Sequence, residues 1–93
     1  MTKYVVMIST ISDQAVEPQK ALITDSFSQA KHLAFDAIHH DRQLATTHPQ
    51  PEDPTYEIYK HDLGNDAYRC DLMMTAGGAH FIVENAVVAP ITE

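Results

Sequence analysis

The stretch 55–88, TYEIYKHDLGNDAYRCDLMMTAGGAHFIVENAVV, decides the fold, because it reads as three strands joined by two short turns. The first turn, Asp62-Leu63-Gly64-Asn65-Asp66, fits a three-residue hairpin loop whose last position is left-handed, a conformation that Asn tolerates better than most residues. Closing it by pairing Asp62 with Asp66 sets Ile58 opposite Cys70, Tyr56 opposite Leu72 and Lys60 opposite Tyr68. One face of the hairpin is then largely apolar, as a half-buried strand pair requires.

The second turn is Ala76-Gly77-Gly78-Ala79, and a Gly-Gly pair supplies positive φ angles without steric cost. It pairs Met74 with Phe81, Leu72 with Val83, Cys70 with Asn85 and Tyr68 with Val87. The same face stays apolar across all three strands, so two turns read independently agree on one core face.

On the opposite face this register sets Glu57, Asp71 and Glu84 in one row across adjacent strands. Tyr59, Arg69 and His61 flank the row toward one end, and Met73, Ile82, Thr75 and His80 toward the other. Strands lie about 4.8 Å apart and opposed like charges destabilise a sheet, so three carboxylates in a row call for compensation. A hard divalent cation, Mg²⁺, Ca²⁺ or Mn²⁺, held by Glu57, Asp71 and Glu84 would supply it. Arg69 and Lys60 reaching over the row would supply it too.

Outward from the meander, Tyr4 to Ile11 is β-branched and apolar on both alternating faces and reads as a well-buried strand. It can pair beside either edge of the meander. Ser12 to Gln19 reads as a loop, and Lys20 to Thr24 as a short strand returning antiparallel to the first. Ser26 followed by Gln29 is a capping-box pattern that opens a helix over about 27–43. Phe27, Ala30, Leu33, Ala34, Ala37 and Ile38 gather on its stripe toward the sheet. His32, Asp36 and His39 share the far side at spacings that could converge on a metal ion, but they lack the His-Glu-x-x-His pattern of zinc helices and read as a solvated face. Asp41 falls near the centre of the apolar stripe, which predicts that the helix frays there. Residues 46–54, with three prolines, read as an extended connector, and the chain beyond Pro90 as a fraying tail.

The expected fold is therefore α+β: a single domain with a mostly antiparallel sheet of four or five strands and one helix packed on one face. Thirteen Asp and Glu against six Lys and Arg give a net charge of −7. That argues against nucleic acid and against anionic membranes as partners. No stretch approaches the ~20 apolar residues of a membrane-spanning helix. The single cysteine, Cys70, excludes an intramolecular disulfide, suits a cytoplasmic chain and lies on the core face as a packed thiol.

No catalytic, cofactor or nucleic-acid motif is present. The leading expectation is a non-enzymatic module that self-associates as a homodimer or binds another protein, through an edge strand or through the open sheet face with Tyr59, Met73 and Ile82. The alternatives are a divalent-cation protein using the carboxylate row, and a small hydrolase or isomerase with His61 or His80 as acid or base beside the carboxylates.

Overall fold

The computed structural model describes residues 2–12, 15–46 and 55–92. Its elements run β1 (Thr2–Ile11), β2 (Val16–Thr24), α1 (Phe27–Ala45), β3 (Thr55–Gly64), β4 (Ala67–Ala76) and β5 (Ala79–Thr92). The strands form one antiparallel sheet in the order β2-β1-β5-β4-β3, with α1 packed across one face. This is the expected α+β fold, with β1 settled beside β5 rather than beside β3. The proline-rich connector at 47–54 lies outside the described residues.

The helix begins where the cap requires. Ser26 is extended, and its hydroxyl accepts the Gln29 backbone N–H at 3.2 Å. The reciprocal half of the box is absent, because Gln29 Oε1 accepts the Thr24 hydroxyl at 2.7 Å and so ties the helix start to β2. Ala30, Ala34 and Ile38 are fully buried, and Phe27, Leu33 and Ala37 pack at their margins. They meet Val6 and Ile8 of β1, Tyr68, Cys70 and Leu72 of β4, and Ala86 and Val88 of β5. Each large aliphatic side chain buried here contributes roughly 1.5–3 kcal/mol.

The helix does not fray at Asp41 but continues to Ala45. Asp41 tolerates its inward position because a carboxyl partner, Glu84, faces it from the sheet. Nor does the chain fray at Pro90, which pairs with Tyr4 inside β5. The pairing of β4 to β5 ends at Tyr68 and Val88, so the missing Pro90 N–H lies where no β4 residue pairs with it. β2 starts at Val16 instead of Lys20, and the extra residues are accommodated by a bulge at Gln19, opposite the Ile8–Ser9 step.

Two registers differ from expectation. The first hairpin closes on a two-residue turn, Asn65-Asp66, with φ of 54° and 59°, after a bulge at Leu63. Ile58 therefore faces Leu72, Tyr56 faces Met74 and Lys60 faces Cys70. The displacement is two residues, so every side chain keeps its expected face. The second hairpin turns at Gly77-Gly78 as expected and pairs Met74 with Phe81. A bulge then leaves Val83 unpaired, and from Leu72 onward the partners are Glu84, Ala86 and Val88. That single residue reverses the faces of the rest of β5.

Candidate functional site

The bulge at Val83 breaks up the carboxylate row. Asp71 pairs with Asn85 and Tyr59, while Glu57 pairs with Met73, one row further along. Glu84 passes to the helix face, where it is only 8 % exposed. Glu57, Asp71 and Glu84 therefore do not form one cation site, which corrects that expectation. Among the described residues no group of three or more His, Cys, Asp or Glu stands close enough to hold a metal ion. Ala86 is fully buried beneath the helix for the same reason.

Two buried carboxyl sites replace the row, one on each face. On the open face, Asp71 is 2 % exposed. Its Oδ2 accepts the Arg69 Nε–H at 3.1 Å and stands 3.3 Å from His61 Nε2, while Oδ1 has no hydrogen-bond partner. Arg69 thus compensates Asp71 as expected. Lys60 instead lies on the helix side, its ammonium 5.2 Å from the Phe35 ring. Beside this cluster the Tyr59 hydroxyl donates to Glu57 Oε2 at 2.7 Å, which holds the phenol protonated above its ordinary range. His61 and Asp71 are therefore brought together, whereas His80 is apart from them, its Nδ1 2.9 Å from the Thr75 hydroxyl. Ser9 shares the Asp71 row but sits two strands away, across Asn85, about 10 Å at ordinary strand spacing. It cannot serve as a nucleophile to the His61–Asp71 pair.

On the helix face, burial chiefly and the hydrogen bond to Asp41 secondarily push the Glu84 carboxyl up to about 8. Glu84 therefore stays protonated at neutral pH and donates to Asp41. Its Oε1 is buried without a partner. Asp41 also lines an open groove of about 500 Å³ between α1 and strands β1 and β2. Sequence reasoning missed this pair, although Asp41 on the apolar stripe was its visible half.

The open face is otherwise apolar. Val5, Met7, Ala21, Ile23, Val87 and Ala89 occupy its register positions around one end, and Met73, Ile82 and Tyr59 around the other. Met7, Ile23, Tyr59 and Ile82 are each more than a third exposed. A second groove of about 640 Å³ at the tip of the β4–β5 hairpin is lined by Ile11 and Ile82 of this face and by Met74 and Phe81, which pair on the helix side. Cys70 is buried on the helix side, its thiol donating to the Tyr68 hydroxyl at 3.2 Å, and burial pushes the thiol up, away from nucleophilic use. Among the described residues no helix is long and apolar enough to cross a membrane.

No family model, curated protein or solved structure matches the chain.

Proposed function

We propose that this protein is a self-association module whose open sheet face meets a second copy of itself. The observation that carries this reading is the distribution of charge. In a chain of net charge −7 the open face holds Lys3 and Arg69 against Glu57 and Asp71, and is balanced. The other acids of the described residues lie on the helix, the loops and the helix side. A charge-balanced apolar face on an acidic protein is the one surface where two like-charged copies can meet without strong repulsion.

Size and polarity agree. Five strands at ~4.8 Å, overlapped for about seven residues at ~3.3 Å each, give roughly 550 Å² per copy, or roughly 1,100 Å² for two. That clears the roughly 1,000 Å² expected of a specific interface. Along the strands the face has a positive end at Lys3 and Arg69, where His61 also lies, and a negative end at Glu57, with Asp71 between. A copy turned end over end about the Asp71 row sets His61 and Arg69 toward Glu57 of the other copy. Such isologous pairing is the usual form of a homodimer. The single cysteine suits a reducing, cytoplasmic setting, and the acidity favours a protein partner over nucleic acid.

Light scattering on the eluting peak tests the reading. At tens of micromolar the expected mass is twice the 10.4 kDa of the chain. Val87→Lys, at the centre of the face, should return a monomer with an unchanged far-ultraviolet spectrum, while His32→Lys on the exposed helix surface should leave the dimer intact. A wild-type monomer at every concentration, or a dimer indifferent to Val87→Lys, overturns it.

A further inference from the structure

The groove beside α1 and the carboxyl pair at its edge form a second feature, on the face opposite the proposed dimer contact. Ile8, Leu22, Leu33 and Ala37 make an apolar floor, and Gln19, Lys20, Asp36, His40 and Asp41 a polar rim. Its volume of about 500 Å³ lies within the range of small-molecule sites. Behind the rim, Asp41 contacts Glu84, whose Oε1 is an acceptor sealed from water and left unpartnered.

Two irregularities of the sheet converge on this point. The bulge at Val83 carries Glu84 through to the helix side, next to Thr10 on β1. The bulge at Gln19 lets its amide donate to the Thr10 hydroxyl at 3.1 Å. A regular sheet would have set Glu84 on the open face, in the row of Asp71. Bulges of this kind re-aim side chains and are over-represented at sheet edges and next to active sites.

From these residues we infer that the groove binds a small primary amine, its ammonium received by the Asp41 carboxyl on the rim, with Glu84 behind it, and its apolar body lying on Ile8, Leu22, Leu33 and Ala37. An ammonium offers three N–H donors and a positive charge to the Asp41 carboxyl, while the apolar floor takes the hydrocarbon part. A divalent cation needs more oxygen ligands than two carboxyls supply, and no third metal-ligating side chain stands near enough among the described residues. An anion would meet carboxyls at the buried end.

Titration of the ¹⁵N-labelled protein at pH 7 with n-hexylamine, and separately with n-hexanol, tests the inference. Hexylamine should shift the amides of Leu22, Leu33, Ala37 and Asp41 saturably, with at least tenfold tighter binding than hexanol. In D41N/E84Q, which keeps the shape and one hydrogen bond but removes both carboxyls, hexylamine should fall to the affinity of hexanol. Continued weak hexanol shifts in that variant show that the groove itself survives. Equal binding of amine and alcohol by the wild type, hexylamine shifts scattered over the acidic surface, or undiminished amine binding by D41N/E84Q each overturn the assignment.

Discussion

Replacing Glu84 with Gln should make the protein more stable at neutral pH and remove most of a pH dependence that the wild type shows. The carboxyl titrates near 4.5 in an unfolded chain and at about 8 in the folded one. A group raised in the folded state lends stability that is fully present below its unfolded value and is lost as pH climbs through its folded value. At about 1.4 kcal/mol per pH unit, the wild type should lose roughly 3 kcal/mol between pH 4.5 and 7, and roughly 4 kcal/mol by pH 8. The proton belongs to the Asp41–Glu84 pair, so this loss is counted once and not for each member. In Glu84→Gln the side-chain amide donates to Asp41 at every pH, and no charge need be buried.

Urea titrations of both proteins at pH 5, 6.5 and 8, analysed with a common slope, measure the difference directly. The two should nearly coincide at pH 5 and separate steadily above it. For a domain of this size, 3 kcal/mol corresponds to a thermal midpoint difference on the order of 10 °C or more. Self-repulsion in a chain of charge −7 also lowers stability as pH rises, but it acts on both proteins and cancels in the comparison. Parallel curves, with a constant offset from pH 5 to 8, would refute the reasoning, because they would mean that Glu84 ionises in the fold without cost.

Two further substitutions test the packing that holds the site in place. Ile38→Ala, at a fully buried position where α1 meets the sheet, should cost about 2–5 kcal/mol by urea unfolding, since the helix can collapse only partly onto the cavity left behind. Ser26→Ala removes the acceptor for the Gln29 N–H at the first turn of α1 and should cost about 0.5–2 kcal/mol, with faster amide exchange confined to residues 27–30.

The architecture was readable because its signals are local and redundant. The Ser26 cap, the Ala30–Ala34–Ile38 stripe and the Gly77-Gly78 turn each fall where side-chain chemistry leaves few choices. The first hairpin shows how far such reading tolerates error. Asn65 and Asp66 together adopt the two-residue turn and Leu63 bulges, which moves the register by two and leaves both faces as expected. Period-two alternation cannot distinguish registers that differ by an even number of residues, so the hairpin was right in face and wrong in partner.

The site was hidden by an odd displacement. A bulge at a β-branched residue such as Val83 carries no compositional mark, unlike one that requires a left-handed glycine. Its trace was a polar residue in the wrong place: the unbulged register sets Asn85 against Cys70 in the core, whereas the actual partner of Cys70 is Ala86. A second trace lay on the helix, where Asp41 points at the sheet from the middle of an apolar stripe. Either anomaly alone reads as a tolerable defect. Together they have one economical resolution: β5 shifts by one residue, Asn85 leaves the core for the open face, and Glu84 enters to meet Asp41. A buried acid that seems to contradict a helix is thus evidence about the strand beneath it. The register that satisfies both elements moves Glu84 out of the expected cation row and creates the carboxyl pair.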